Sequence, residues 1–425
     1  MKAMMLTKHK IGDLLEVTRG ASLSGEYFAT QGDYMRLTCG NFDYQNNCFK
    51  PNTSKDNLYY TANFNQEYLM EKDDIITPLT EQAVGLLGST AWVPDSGKYI
   101  QSQDVAKITP NEKLLDKKFC YYLISSKVVK QQLSAAAQQT KIRHTSPDKI
   151  KDCTVWIPSL EEQTKIGQFL YDIDSKIALN RQINDNLEAL ARQLYDYWFV
   201  QFDFPDENGK PYKSSGGKMV WNECMKKSIP ADWKTSQLSE WIDYSIERVH
   251  TSVVSDGDFY TPIEVIPRKK MSLSTISPLE NAVSGLCRYK KKDILLSNRR
   301  VYFHKICLAP FDGLTRDTVM VLRPKHEEDL GYIYETMFSD SFISYATKVS
   351  YGSLQPVLSW TEAQKYHVLT PANNLSEKYS KLINGIIEKV LSSQMEIIQL
   401  TKQRDELLPL LMNGQATVNY HLSDD

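Results

Sequence analysis

SLEEQTKIGQFLYDIDSKIALNRQINDNLEALARQLYDYWFVQFDFP, residues 159–205, sets the architecture of this 425-residue chain. Read as heptads, it places Ile166, Ile173, Asn180, Leu187 and Leu194 at one core position and Phe169, Lys176, Ile183, Leu190 and Tyr197 at the other. This is the pattern of a coiled-coil stripe, and Leu170, Ile177 and Ala191 widen it on one side. Asn180 is the polar exception; an Asn at a core position penalises slipped registers, because a slipped partner leaves its amide unpaired. A helix from Glu161 to about Phe199 makes a rod of about 58 Å at 1.5 Å per residue. Such a length suits a spacer better than a helix inside an ordinary globule.

A second amphipathic segment runs from about Leu375 to Asn413. Ile383, Val390, Ile397 and Leu411 occupy one heptad position and Ile386, Leu400 and Leu407 the other, with Ser393 and Arg404 as exceptions. Pro409 lies inside this pattern and is expected to kink or end the helix. Before each long segment the same order of features appears. EKDDIITPL (71–79) parallels KKKDILLSN (290–298), and QDVAKIT (103–109) parallels RDTVMVL (316–322). KFCYYLISSKVVKQQLSA (118–135) parallels GYIYETMFSDSFISYATK (331–348), and VWIPS (155–159) parallels VLTPA (368–372), at offsets of 213 to 219 residues.

The chain therefore reads as globule, long helix, globule, long helix. The expected division is a first globule at 1–157, a long helix at 158–205, a linker at 206–228, a second globule at 229–372, a C-terminal long helix at 373–414 and a tail at 415–425. Two antiparallel helices would relate the globules by a pseudo-twofold axis. Such an object suits a DNA duplex, whose local dyads relate half-sites about 34 Å or more apart.

Composition is that of an ordinary folded protein, with 41% hydrophobic and 24% charged residues. No apolar run approaches the roughly 18 residues of a membrane span, and the N-terminus carries no secretory pattern. The expectation is a cytoplasmic protein with no membrane partner. Seven cysteines with no C-x-x-C pair argue against a disulfide framework or a zinc ribbon. The net charge of −2 hides local concentrations: ten Lys/Arg face two Asp/Glu over Arg268–Lys305, and ten face three over Lys107–Lys151. Each can be a solvated face, yet they fall at matching places in the chain.

IPSLEEQTKIGQFLYDID (157–174), NLEALARQLYDYWFVQFDFP (186–205), NGKPYKSSGG (208–217), IPADW (229–233) and RDELLPLLMNG (404–414) carry a family likeness. In their combination and order they resemble the specificity subunits of Type I restriction-modification systems. The first globule departs from the pattern in lacking an IP-x-x-W start. The resemblance implies an α+β fold, with two target recognition domains separated by two long antiparallel coiled-coil helices in a pseudo-twofold internal repeat. It implies a non-catalytic subunit that reads a split target in double-stranded DNA, one half per globule. It further implies partners, namely two methyltransferase subunits and restriction (translocase) subunits. S-adenosylmethionine, ATP and magnesium would belong to those partners, and this chain itself would carry no cofactor or metal.

Within the sequence no phosphate loop, H-E-x-x-H, dinucleotide fingerprint or Asn/Asp-Pro-Pro-aromatic motif is found, and the seven histidines form no i, i+4 pair. Phosphate contacts need cations or hydroxyls, and base edges need Arg, Lys, Asn or Gln. The loop 138–145 supplies Gln138, Gln139, Lys141, Arg143 and His144, and its repeat counterpart supplies Tyr351, Gly352, Ser353 and Gln355. Gly352 reads either as a close backbone approach to phosphate or as a plain turn glycine. Arg299, Arg300, His304 and Lys305 follow KKKDILLSN and are read as groove contacts or as a solvated edge; Arg36, Asn41 and Gln45 are further candidates in the first globule. In the YDYWF cluster (195–199), Trp198 is assigned to packing, and Tyr195 and Phe199 either pack or anchor another subunit. Two rival readings are a coiled-coil assembly scaffold that binds only protein, and an enzyme with an unrecognised site.

Overall fold

The computed structural model describes residues 5–418 other than 82, 84, 137–142 and 256, and at Arg143 the backbone alone. It falls into two compact units, one of residues 1–175 with 401–425 and one of residues 176–400.

In unit 1, β-branched Ile75 and Ile76 open a fully buried strand, Ile75–Pro78, as expected where both faces of a sheet are covered. It lies inside a four-stranded antiparallel sheet, ordered Ala91–Trp92, Ile75–Pro78, Val105–Pro110, Leu15–Arg19. A second sheet joins Tyr99–Ile100, Tyr34–Arg36, Tyr59–Tyr60 and Phe28–Ala29. Asp116 starts the helix Lys117–Ile124 by accepting the Phe119 N–H at 2.8 Å, an N-cap that satisfies one of the helix's open donors. From Phe119 to Ile124 every residue of this helix is buried. They pack with Ile166 and Leu170 at the start of the first long helix and with Leu411 and Met412 at the end of the second.

Unit 2 places the buried strand Ile294–Ser297 in a sheet ordered Ile242–Ser245, Val319–Pro324, Ile294–Ser297, Ile306–Leu308, again antiparallel throughout. The helices Leu330–Phe338 and Asp340–Val349 follow. The first of them is buried along its whole length, Glu335 included. Within the stretch read from sequence as linker, Met219–Asn222 and Lys227–Pro230 form an antiparallel hairpin with Trp221 59% exposed.

The first long helix spans Leu160–Tyr195 and closes in one wider π turn, Asp196–Val200. The second spans Leu375–Met412 and carries Pro409 three residues before its end. Direction is fixed inside each unit. In unit 1 Arg404 Nη1 donates to Asp174 Oδ1 at 2.8 Å, and in unit 2 Asn180 Nδ2 donates to Glu396 Oε2 at 2.8 Å while the Tyr379 hydroxyl donates to the Ala191 carbonyl at 2.9 Å. Rising numbers on one helix meet falling numbers on the other, so the segments run antiparallel. Lys176 also pairs with Glu396.

The buried seam differs from the heptad reading. Ile166, Ile173 and Asn180 are buried as expected, but the second buried row is Gln163, Leu170, Ile177, Asn184, Ala191 and Trp198. Of the residues expected there, Leu190 is 52% and Tyr197 37% exposed, and Phe169 and Ile183 are half-buried. The second helix shows the same displacement, with Ile387 and Gln394 buried and Ile386 and Leu400 half-buried. Polar Gln163, Asn184 and Gln394 disguise the seam, while apolar residues beside it mimic one. Tyr195, Trp198 and Phe199 all pack in unit 2 with Tyr332, Tyr379 and Trp233, and the Tyr195 hydroxyl lies 3.0 Å from Thr336 Oγ1. Packing is therefore the outcome for both residues left open. The seven cysteines are free thiols, five of them buried and Cys224 exposed.

Candidate nucleic-acid interface

In unit 2 the strand Ile294–Ser297 emerges from the core into Asn298, Arg299 and Arg300. Asn298 is fixed by its Nδ2 on the Asp317 carbonyl at 2.8 Å, and Ser297 Oγ donates to the Arg299 carbonyl at 2.8 Å. Arg300 and His304 then take left-handed backbone angles, φ 48° and 54°, on either side of the turn Val301–Phe303. A second loop comes back against this one. Tyr351 and Val357 exchange backbone hydrogen bonds of 3.0 and 2.8 Å, closing a hairpin whose bend uses Gly352 at φ 100°. Arg299 bridges Val357, the Arg300 N–H donates to the Pro356 carbonyl at 2.8 Å, and the Leu358 N–H donates to the Asn298 carbonyl at 2.9 Å. Arg299 and Arg300 are thus brought together with Tyr351, Gly352, Ser353 and Gln355, all but the half-buried Arg300 being exposed.

Two neighbours are excluded from that surface. His304 is 4% exposed, with its ring 4.7 Å from Phe338 and Nδ1 3.6 Å from Asp340 Oδ1. Burial holds its imidazole below the usual range, so it is neutral near pH 7. The left-handed turn directs it inward, and it does not present itself to a groove. Lys305 donates Nζ to the Ile263 carbonyl at 2.7 Å and to the Glu264 carbonyl at 3.4 Å, and burial depresses its ammonium. It closes a loop of unit 2 and is not a surface cation. The basic window is reduced further by ion pairs of Lys270 with Asp185 and of Lys291 and Lys292 with Glu388. Arg299 and Arg300 make no such pair among the described residues.

In unit 1 the strand Ile75–Pro78 leads to Thr80 and Glu81, which pair with His144 and Arg143. His144 is exposed, with Nδ1 3.3 Å from Thr80 Oγ1. Gln138, Gln139 and Lys141 lie outside the described residues. Arg36 is committed within the unit: its guanidinium stacks 3.8 Å from the Phe28 ring, and Nη2 donates to the Asn57 carbonyl at 3.2 Å. Asn41 is buried as the reciprocal cap of Thr38, so neither is a free base reader. Gln45 is exposed beside the Asp43 turn.

Sequence reasoning missed three residues beside the unit 2 tip. Leu354 is 88% and Tyr302 47% exposed, and Arg268 is exposed with its guanidinium 4.1 Å from the Phe303 ring. Arg268 stood at the edge of the basic window, but nothing in the sequence distinguished the other two from core residues.

Residues 6–189, the first globule and most of the first long helix, match the family model described as the Type I restriction modification DNA specificity domain. The MjaIX specificity subunit of Methanocaldococcus jannaschii is 23% identical over 342 residues, 75% of this chain and 73% of that protein. Over the matched stretch the chain is similar to the specificity subunits of Type I restriction enzymes. The HindI specificity subunit of Haemophilus influenzae is likewise 23% identical, covering 76% of this chain and 82% of its own. The crystal structure of a Type I restriction-modification S subunit from M. genitalium shares the fold, with TM-score 0.63, 17% identity and 97% of each chain covered. The chain itself combines helices and strands, and among its described residues no helix is long and apolar enough to cross a membrane.

Proposed function

We propose that this chain reads a bipartite DNA target, one half with each unit, for a Type I restriction-modification complex. The recognition domains are assigned to residues 1–157 and 229–372 and the spacers to 158–205 and 373–414, with a linker at 206–228. The helices act as a coiled coil within a pseudo-twofold repeat. The observation that carries this reading is the unit 2 tip, where two loops far apart in sequence join into one exposed surface. That surface offers Arg299, Arg300, Tyr351, Ser353 and Gln355, the residue types that meet phosphates and base edges.

The long helices recruit two methyltransferase subunits, and restriction subunits join that core. Support comes from Leu179, Leu190 and Leu382, each more than half exposed on a long helix, since apolar side chains left on a rod mark places for a partner. S-adenosylmethionine, ATP and magnesium serve the partners' chemistry. Unit 1 contributes Arg143, His144 and the loop bearing Gln138, Gln139 and Lys141.

The test is single-molecule sequencing of adenine methylation in a host that expresses this chain, before and after its deletion. Loss of a split motif, two short halves around a fixed gap, is the expected result. Unchanged methylation, together with failure of the purified chain and its co-purified methyltransferase to bind any duplex, would leave only a protein scaffold.

A further inference from the structure

Leu354 is more exposed than any other large apolar residue described, at 88%. A single exposed leucine is unremarkable; its setting is what matters. It stands at the end of a hairpin that cannot easily fold back to cover it, because Tyr351 and Val357 exchange two backbone bonds and Arg300 holds the Pro356 carbonyl at 2.8 Å. Gly352 makes the bend at φ 100°, and on the other side of the tip Pro356 limits the backbone. The stretches 294–306 and 348–358 that build this surface contain no Asp or Glu, but they hold Arg299, Arg300, Lys305 and Lys348. Of these, Arg299 and Lys348 are exposed, and so is Tyr351 at 62%. The two stretches that build the tip around this leucine therefore bring exposed cations and an aromatic and no carboxylate of their own, and Arg300 Nη2 reaches the Leu354 carbonyl at 3.5 Å.

We propose that Leu354 is a wedge that enters the DNA base stack at the half-site read by unit 2, resting on the reading of this chain as a DNA-recognition subunit. Apolar side chains that enter between base steps unstack and kink the duplex, and flanking cations hold the phosphates on either side. A base step opened in this way makes recognition depend on how easily that step deforms as well as on base edges. Arg299 and Lys348 supply the phosphate contacts, and Tyr351 offers a face for an unstacked base.

The experiment uses the full chain alone, so that no methyltransferase can unstack a base. Duplexes carry the motif identified by methylation sequencing, with 2-aminopurine placed in turn along the half-site. The wild type should raise the fluorescence several-fold at one step. Leu354→Ala should lose that rise while binding within about tenfold of wild type, and Leu354→Phe should keep it; Leu354 is on the surface, so neither change disturbs folding. No rise at any position, or an equal rise with Leu354→Ala, overturns the wedge. So does an affinity loss on replacing thymine by uracil that Leu354→Ala reproduces without any fluorescence change, which would make Leu354 a reader of the thymine methyl. In each of those outcomes the wild type still binds. Failure of the wild type to bind any duplex overturns the recognition reading as well, so the two failures are told apart.

Discussion

The tips of the two units share a backbone plan and differ in chemistry. Each follows a buried four-residue strand, Ile75–Pro78 in unit 1 and Ile294–Ser297 in unit 2, and each pairs with a loop that leads into a short helix. Those helices start alike: Ser146 Oγ accepts the Lys149 N–H at 3.3 Å, and Ser359 Oγ accepts the Glu362 N–H at 3.3 Å. On this common frame unit 1 sets Thr80 and Glu81, and unit 2 sets Arg299 and Arg300. Glu81 turns inward, 8% exposed, and accepts the Gly85 N–H at 2.9 Å, whereas Arg299 points to solvent. The frame fixes where a side chain is presented, and the residue placed there fixes what it meets.

The largest effects should come from breaking the frame, and they should be equally severe in either unit. In unit 1, Arg404→Ala leaves Asp174, also bonded by the Tyr122 hydroxyl at 2.8 Å, without its cation. The expected loss is about 3–5 kcal/mol in chemical denaturation. In unit 2, Ile177→Asp buries a carboxylate on the seam and should cost more than about 4 kcal/mol, while Leu190→Asp on the outer face stays within about 0.5 kcal/mol. Equal loss at both positions would restore the heptad register read from sequence. Changing the tip should spare stability. Arg299→Ala with Arg300→Ala is expected to weaken duplex binding by about 2–4 kcal/mol at an unchanged Tm, measured by anisotropy titration. In unit 1 the matching test is Lys141→Ala, which should lower the salt slope of binding by about one; an unchanged slope removes Lys141 from the site.

A smaller effect is expected at Gly352, where a Cβ finds room, 3.5 Å from the Gln355 carbonyl oxygen, but meets a φ of 100°. Gly352→Ala should weaken binding by about 1 kcal/mol through strain in the hairpin alone. The last contrast is one of pH. Burial pushes the Glu335 carboxyl up to about 8, with Arg192 pulling down and Glu188 and Asp196 pushing up. A raised acid binds its proton more tightly in the folded chain, so its stabilisation is complete below about pH 4.5 and is lost as pH rises through 8. Glu335→Gln should flatten the decline of unit 2's Tm between pH 5 and 8; a decline as steep as wild type would assign it to other groups.

How far the sequence reveals this molecule depends on the kind of interaction. The long helices and the buried strands were legible because burial repeats with a period, and Ile75–Pro78 and Ile294–Ser297 each follow a charged turn into an apolar run. The seam was misplaced by one row because buried Asn184 and Gln394 look like surface residues, while Phe169 and Leu190 look like core. Charge and residue type single out Arg299, Arg300 and the 351–355 loop as candidates, but their meeting depends on a bridge between residues 58 apart in the chain, Arg299 and Val357. His304 and Lys305 were misread because left-handed angles at Arg300 and His304 carry no glycine to announce them. Leu354 was missed because an apolar residue in a turn carries no periodic signal.

Unit 1 is assembled from two separated stretches of one chain, and Arg404 reaches Asp174 across 230 residues. On the ribosome, residues 176–400 are all made before 401–412 arrive to cover Ile166 and Leu170. Unit 2 can therefore close first, while the earlier-made globule waits with part of its core exposed. Order of synthesis and order of completion are therefore reversed.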